Sequence, residues 1–346
     1  MGIFDFDNEK IRSDFIHGNS FRDLAHIDID NRIPMGFHTK LVDPEDLPLM
    51  ANGKRKAIVC TRVDWETGGS NLSSTINFLN SYGSIDVILI TYGSYLTPDR
   101  SVFDNIPECV VKWYAVNAEY ENDKVVGIPL GIAKPIWENG QISSLIKNRS
   151  DTKDKLLYIN HNPNTDRTSP RGNIRRAIYD RFRSEGGDWF TLVDQFGECN
   201  LYGYNSMEEM ARDKAASNMH LAEGVKERGR RIFEEGSREV GESSQRYIRE
   251  MSSHKFTLAP SGMGYDTMRT WEALYSKTIP IVTDYAAMKH FEDLPILYTE
   301  DYSEITEDYL NKKYEEFQEK DWDLSKMFFS YWKNRIMDDY NDYNPS

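Results

Sequence analysis

What most constrains the fold of this chain is a recurring alternation of short, almost continuous apolar runs with longer polar stretches. The runs are "KAIVCT" (56–61), "IDVILITY" (85–92), "CVVKWYAV" (109–116), "VVGIPLGI" (125–132), "KLLYIN" (155–160), "KFTLAP" (255–260) and "TIPIV" (278–282). A strand that is apolar at successive positions, rather than at every second one, has both faces covered. That is the situation in parallel sheets flanked by helices. The expected class is therefore α/β.

Between 133 and 154 the apolar signal fades, and "KLLYIN" then begins a fresh series. Two units of similar build are expected, residues 1–145 and 153–320, within a chain of 346 residues that is comfortable for two domains. Residues 321–346 are expected to form a terminal helix, because Leu324, Met327, Phe328, Tyr331, Trp332 and Ile336 recur at helical spacing. Residues 205–250 are charged and helical in pattern, with no strand signal.

A formal net charge of −14 repels nucleic-acid phosphate, so such a partner is not expected. The basic cluster "KERGRR" (226–231) runs almost at once into acidic residues and reads as a solvated helix face. Cys60, Cys109 and Cys199 are widely spaced and contain no CxxC pair, which argues against a disulfide framework or a zinc site. The opening "MGIFDFDNEK" lacks the apolar run of a signal peptide, and no segment has the length of a membrane span. A soluble, cytoplasmic protein is expected.

The stretch "KFTLAPSGMGYDTMRTWEALYSKTIPIV" (255–282) carries the chemistry. Pro260 ends a strand, and Gly262 and Gly264 allow positive φ or a close approach of backbone to a ligand. Asp266 or Thr267 can cap the helix that follows. A glycine loop opening onto a helix N-terminus offers unpaired N–H groups and a dipole that favour an anion. Arg269 falls in the first turn, where a cation opposes the dipole and helps only if an anion shares the site. Glu272 lies three residues on, placed to accept from ribose hydroxyls. The plainer reading is an exposed i, i+3 ion pair between Arg269 and Glu272. Thr267 breaks a GxGxxG fingerprint, and no Lys-Ser or Lys-Thr follows the glycines as in a Walker A loop.

A strand ending in Pro, the G-x-G turn, "YDT", Arg269, "WEAL" and "IPIV" together resemble the C-terminal signature of the exostosin-like glycosyltransferases, and the likeness continues through "DLPIL" to "YSEITEDYL". "ILITYGS" (88–94), "VVKWYAVNAE" (110–119), "GIPLGI" (127–132) and "LLYINHNPNT" (156–165) are similar to small soluble members of that group. The resemblance implies the GT-B architecture, two Rossmann-like domains with parallel sheets facing a central cleft and the nucleotide-sugar donor on the C-terminal one. It also implies transfer with inversion and no required metal or other cofactor. Carried over, Arg269 would neutralise the donor diphosphate and Glu272 would hold the ribose. The turn of Ser261, Gly262, Met263 and Gly264, with Asp266 and Thr267, would line the donor. Two departures matter. Ser261 stands where the family often has Arg, and the membrane anchor of animal exostosins has no counterpart here.

Further candidates surround this motif. Arg171, Arg175 and Arg176 in "SPRGNIRRAIYDRF" (169–182) lie near a helix start and offer a second phosphate ligand, or else a solvated face. Asn160 and His161 end a strand, where the cleft of an open α/β sheet lies, although a lone His is commonly structural. Asp64 and Glu119 follow strands of the first unit and are candidates for the base that takes the acceptor proton. The triplets "DFD" (5–7) and "DID" (28–30) match the metal motif of the GT-A architecture, but neither follows a convincing central strand. The expected function is transfer of a sugar from a nucleotide sugar, a UDP-sugar, to a hydroxyl of a glycan or glycoprotein. A retaining enzyme of the same architecture and a non-catalytic glycan- or nucleotide-binding module are the alternatives.

Overall fold

The computed structural model describes residues 2–29, 38–42, 44–62, 85–92, 103–104, 106–119, 122–133, 141–163, 174–193, 242–262 and 264–343. Among them lie strands β1 (Ile27–Ile29), β2 (His38–Leu41), β3 (Arg55–Arg62), β4 (Ile85–Tyr92), β5 (Val110–Val116), β6 (Val125–Ile128), β7 (Lys155–Ile159), β8 (Phe190–Leu192), β9 (His254–Leu258), β10 (Ile279–Thr283) and β11 (Leu297–Thr299). The helices are α1 (Asn8–Asp14), α2 (Ile142–Asn148), α3 (Ile174–Glu185), α4 (Glu242–Ser252), α5 (Met268–Tyr275), α6 (Ala286–Lys289), α7 (Glu307–Glu319) and α8 (Phe329–Asp342).

The strands form two sheets, ordered β2-β1-β3-β4-β5-β6 and β11-β10-β9-β7-β8. Every pairing is parallel except that of β1 with the edge strand β2. The α/β class expected from the apolar runs is the observed one. All eight residues of β4 are buried, as a central strand covered on both faces requires.

The alternation within β3 to β5 divides the first sheet cleanly. Ala57, Val59, Val87, Leu89, Trp113 and Ala115 enter one apolar cluster, while Ile58, Cys60, Ile88, Ile90, Tyr114 and Val116 enter another on the opposite face. That second cluster also takes in Trp271, Leu274 and Tyr275 of α5 and Trp332, Ile336 and Tyr340 of α8. One continuous core thus spans both sheets.

The chain ends cross over. Ile3 packs in the cluster of the second sheet with Leu157, Phe256 and Ile281. The C-terminal helix α8 lies on the first sheet, where the Lys56 ammonium donates to the Tyr340 carbonyl at 2.7 Å and the Tyr114 hydroxyl bonds Asp339. Buried Tyr275 ties both ends together: its hydroxyl accepts from the Ile16 amide at 2.9 Å and donates to the Met327 carbonyl at 2.5 Å. The helical spacing read from Leu324 onward resolves into a short 3-10 turn, Ser325–Met327, followed by α8.

One carboxylate of each acidic triplet has a structural role. Asp7 caps α1 by accepting from the Lys10 amide at 2.7 Å. Asp28 is buried on β1 and paired with Arg22, whose Nε donates at 2.6 Å. Among the described residues no cluster of acidic, His or Cys side chains is arranged to hold a metal, and no described helix is long and apolar enough to cross a membrane.

Candidate functional site

The second sheet changes direction of growth between β7 and β9: the chain passes from β7 outward to β8, then returns to build β9, β10 and β11 on the other side. In open α/β sheets the crevice at the carboxyl ends of strands flanking such a switch is where ligands bind. Asn160 and His161 follow β7, and Pro260, Ser261 and Gly262 follow β9, so the residues singled out in the sequence sit at this point.

The glycine turn is clamped from below. Arg175 of α3, 7% exposed, donates through Nε to the Ser261 carbonyl at 2.7 Å and through Nη2 to the Pro260 carbonyl at 2.8 Å. A Cβ on Gly262 would lie 2.7 Å from Arg175 Nη2, so a larger residue there would have to displace the Arg175 guanidinium. The alternative of positive φ does not apply at Gly262. Arg175 is thus not on a solvated face: two of its guanidinium nitrogens hold the main chain of the turn. Arg176 lies 3.6 Å from Asp180 on its own helix. The Ser261 amide points to Thr283 Oγ1 at 3.5 Å.

His161 is 1% exposed, and its Nε2 lies 3.0 Å from the Arg175 carbonyl. A carbonyl only accepts, so Nε2 carries the proton and Nδ1 presents a lone pair. Burial, then the Arg175 charge, pushes the ring pKa down to about 3 and keeps it neutral. Nδ1 is buried without a hydrogen-bond partner among the described residues. The Asn160 amide donates to the Tyr158 hydroxyl at 2.8 Å.

On α5, Thr267 takes the N-cap position but makes no side-chain capping bond. Arg269 Nε is buried and unpartnered among the described residues. Glu272, 6% exposed, accepts the Tyr247 hydroxyl at 2.7 Å through Oε2. The exposed i, i+3 ion pair with Arg269 is therefore not what forms, since Glu272 turns to α4. Burial raises the Glu272 pKa, while the Tyr247 bond and the Arg269 charge lower it. Tyr247 has no counterpart in the sequence reading. Its partner is 25 residues away, and nothing in the charged pattern of 205–250 marks it.

The Asp266 carboxylate is taken up by protein donors. Buried at 2% exposure, its carboxylate accepts from the Leu130 amide at 2.8 Å and from Trp271 Nε1 at 2.8 and 2.9 Å. Its own amide donates to Asn117 Oδ1 at 2.7 Å. Asn117 follows β5 and Leu130 follows β6, so the glycine turn meets the carboxyl ends of first-sheet strands. Glu119 sits half-buried two residues beyond that contact. Asp64, Arg171 and Met263 lie outside the described residues, as do Cys199 and 205–241.

Beside the turn, at the carboxyl ends of β10 and β11, a cavity of about 500 Å³ is lined by Thr283, Asp284, Tyr285, Glu300 and Asp301, with Ile174 and Ala177 of α3 on its other wall. Its carboxylates disfavour phosphate and can accept from hydroxyls.

No protein-family model matches the chain, and no curated protein does. Among solved structures, it is similar to a crystal structure of an alpha,alpha-trehalose-phosphate synthase (UDP-forming) from Burkholderia vietnamiensis, with 8% identity, a TM-score of 0.41, and coverage of 87% of this chain and 71% of that one.

Proposed function

We propose that the protein is a glycosyltransferase of the GT-B type, moving a sugar from a nucleotide sugar, a UDP-sugar, to a hydroxyl of a glycan or glycoprotein with inversion. The observation that carries this reading is a pair of nitrogens without partners among the described residues, Arg269 Nε and His161 Nδ1, gathered with a glycine turn at the switch point of the second sheet. A donor with an anionic diphosphate and several hydroxyls has the groups to fill both: phosphate oxygens for Arg269 and a hydroxyl for the lone pair of His161. The neighbouring cavity, walled by Asp284, Glu300 and Asp301, suits a neutral polyhydroxylated sugar. The sequence resemblance to exostosin-like enzymes supports the same assignment.

In the proposed reaction the acceptor oxygen forms a bond to the anomeric carbon as the bond from that carbon to the diphosphate breaks. The nucleoside diphosphate leaves with the electron pair, and Arg269 stabilises the charge it gathers. The acceptor's proton passes to a carboxylate, for which Glu119, beside the Asn117 contact, is the proposed base.

The test is a melting-temperature screen with UDP-, ADP-, GDP- and CDP-sugars, since a ligand that binds only the folded state raises that temperature. At least one should stabilise the wild type and fail to stabilise Arg269→Ala. Equal shifts in both proteins, or none in either, would remove the proposal.

A further inference from the structure

We propose that Tyr247 of α4 is a positioning residue for the nucleotide, its hydroxyl fixing the Glu272 carboxylate so that the second oxygen is turned to a ligand's ribose. This deepens the donor-site reading and rests on it. The geometry is a short relay. The Tyr247 hydroxyl donates to Glu272 Oε2 at 2.7 Å, leaving Oε1 without a protein donor among the described residues. The Tyr247 ring lies 6.2 Å from that of buried Tyr158, whose hydroxyl accepts from Asn160 at the end of β7. Tyr247 therefore stands between the α5 and β7 contributions to the switch point, and α4 is an integral wall of the site.

A carboxylate with one oxygen held is pre-aimed, and a bidentate contact from the ribose diol to the other loses less freedom on binding. The groups that bear on Glu272 are Arg269 on its own helix and Tyr247 on α4, with Tyr158 of β7 next to Tyr247. Donation from Tyr247 opposes the effect of burial on the Glu272 carboxyl. Removing the hydroxyl makes Glu272 easier to protonate.

The experiment titrates UDP, ADP, GDP and CDP by calorimetry into wild type, Tyr247→Phe and Glu272→Gln across about pH 5 to 8. Tyr247→Phe should keep the wild-type melting temperature within a few degrees. It should weaken the nucleotide that binds wild type by about tenfold, and the loss of binding at low pH should set in at higher pH than in wild type. A residue that only packs α4 would leave that acid limb where it is. If Glu272→Gln loses binding while Tyr247→Phe keeps wild-type affinity and acid limb, the role of Tyr247 is overturned and the donor site stands. If Glu272→Gln binds like wild type, or no diphosphate binds at all, the donor-site reading falls and the role of Tyr247 with it.

Discussion

The Asp266 carboxylate accepts the main-chain N–H of Leu130 at 2.8 Å, joining the glycine turn of the second sheet to the segment leaving β6 in the first. Both carboxylate oxygens also face Trp271 Nε1, so these partners of the carboxylate all donate. An amide cannot reproduce that arrangement, because its NH₂ would confront an N–H. Asp266→Asn is expected to destabilise the protein by about 1–3 kcal/mol, read as a lower urea midpoint with unchanged slope.

The same carboxyl has a pH signature. Burial pushes its pKa up to about 7, against the donation of Leu130 and Trp271. An acid held more tightly protonated in the folded state costs nothing well below its unfolded value near 4 and its full penalty above about 7, so this contribution falls as pH rises between them. The disadvantage of Asp266→Asn relative to wild type should therefore be larger near pH 4.5 than near pH 7.5. A constant difference across that range would show that the carboxyl is ionised throughout.

At Gly262 a methyl group would stand 2.7 Å from Arg175 Nη2, and Arg175 is tethered to two carbonyls of the same turn. Gly262→Ala should cost about 1–3 kcal/mol by overpacking. Arg175→Met removes both the tether and the obstruction. In a double-mutant cycle the alanine should then cost measurably less when combined with Arg175→Met than alone, giving a coupling of about 1 kcal/mol. Additive losses would mean that the turn relaxes without Arg175.

Much of this architecture is legible in the residues themselves, for physical reasons that also set the limit. β3 and β4 run for eight residues each and carry unbroken apolar runs at their centres, so covered parallel strands were the natural reading. β1, β8 and β11 have three residues each, too short for any periodicity to register, and their pairing depends on a neighbour already in place. Asn160, His161, Ser261 and Gly262 could be singled out because each follows a strand, Arg269 because it opens a helix, and Glu272 because it lies three residues beyond Arg269. Asp266 looked like a helix cap because its partner Leu130 is 136 residues away. Arg175 looked like a free cation because nothing in "IRRAIYDRF" says that its guanidinium turns under the turn after β9. Contacts between elements, not local propensity, decide these cases.

Lys153 joins the ends of two helices that bear on the site. Its ammonium donates to the Ser252 carbonyl at 2.6 Å, to Thr278 Oγ1 at 2.7 Å and to the Ser276 carbonyl at 3.2 Å, at the C-termini of α4 and α5. Those carbonyls are among the groups a helix cannot satisfy internally. Lys153→Met keeps the stem and strips the donors, so a loss of about 1–3 kcal/mol is expected from urea unfolding. Because α4 carries Tyr247 and α5 carries Glu272, hydrogen exchange of both helices should quicken together. Faster exchange in only one would show that Lys153 does not couple them.

His161 and His254 set the opposing acid limb of stability. Burial pushes the first down to about 3 and the second down to about 4, so both stay neutral in the folded protein while the unfolded chain protonates them below about 6.5. For a histidine with a lowered pKa, stability is present above the unfolded value and is lost as pH falls through it toward the folded value. Between about pH 4 and 6 each histidine therefore adds a slope of about 1.4 kcal/mol per pH unit, stability rising with pH. Asp266 subtracts a similar slope over the same range. His161→Phe cannot take up that proton in either state. Its unfolding free energy should climb with pH about 1.4 kcal/mol per unit less steeply than wild type over this interval, whatever constant packing cost the ring adds. Parallel slopes would mean that His161 protonates in the folded protein, which would also remove the neutral acceptor that its lone pair offers to a ligand hydroxyl.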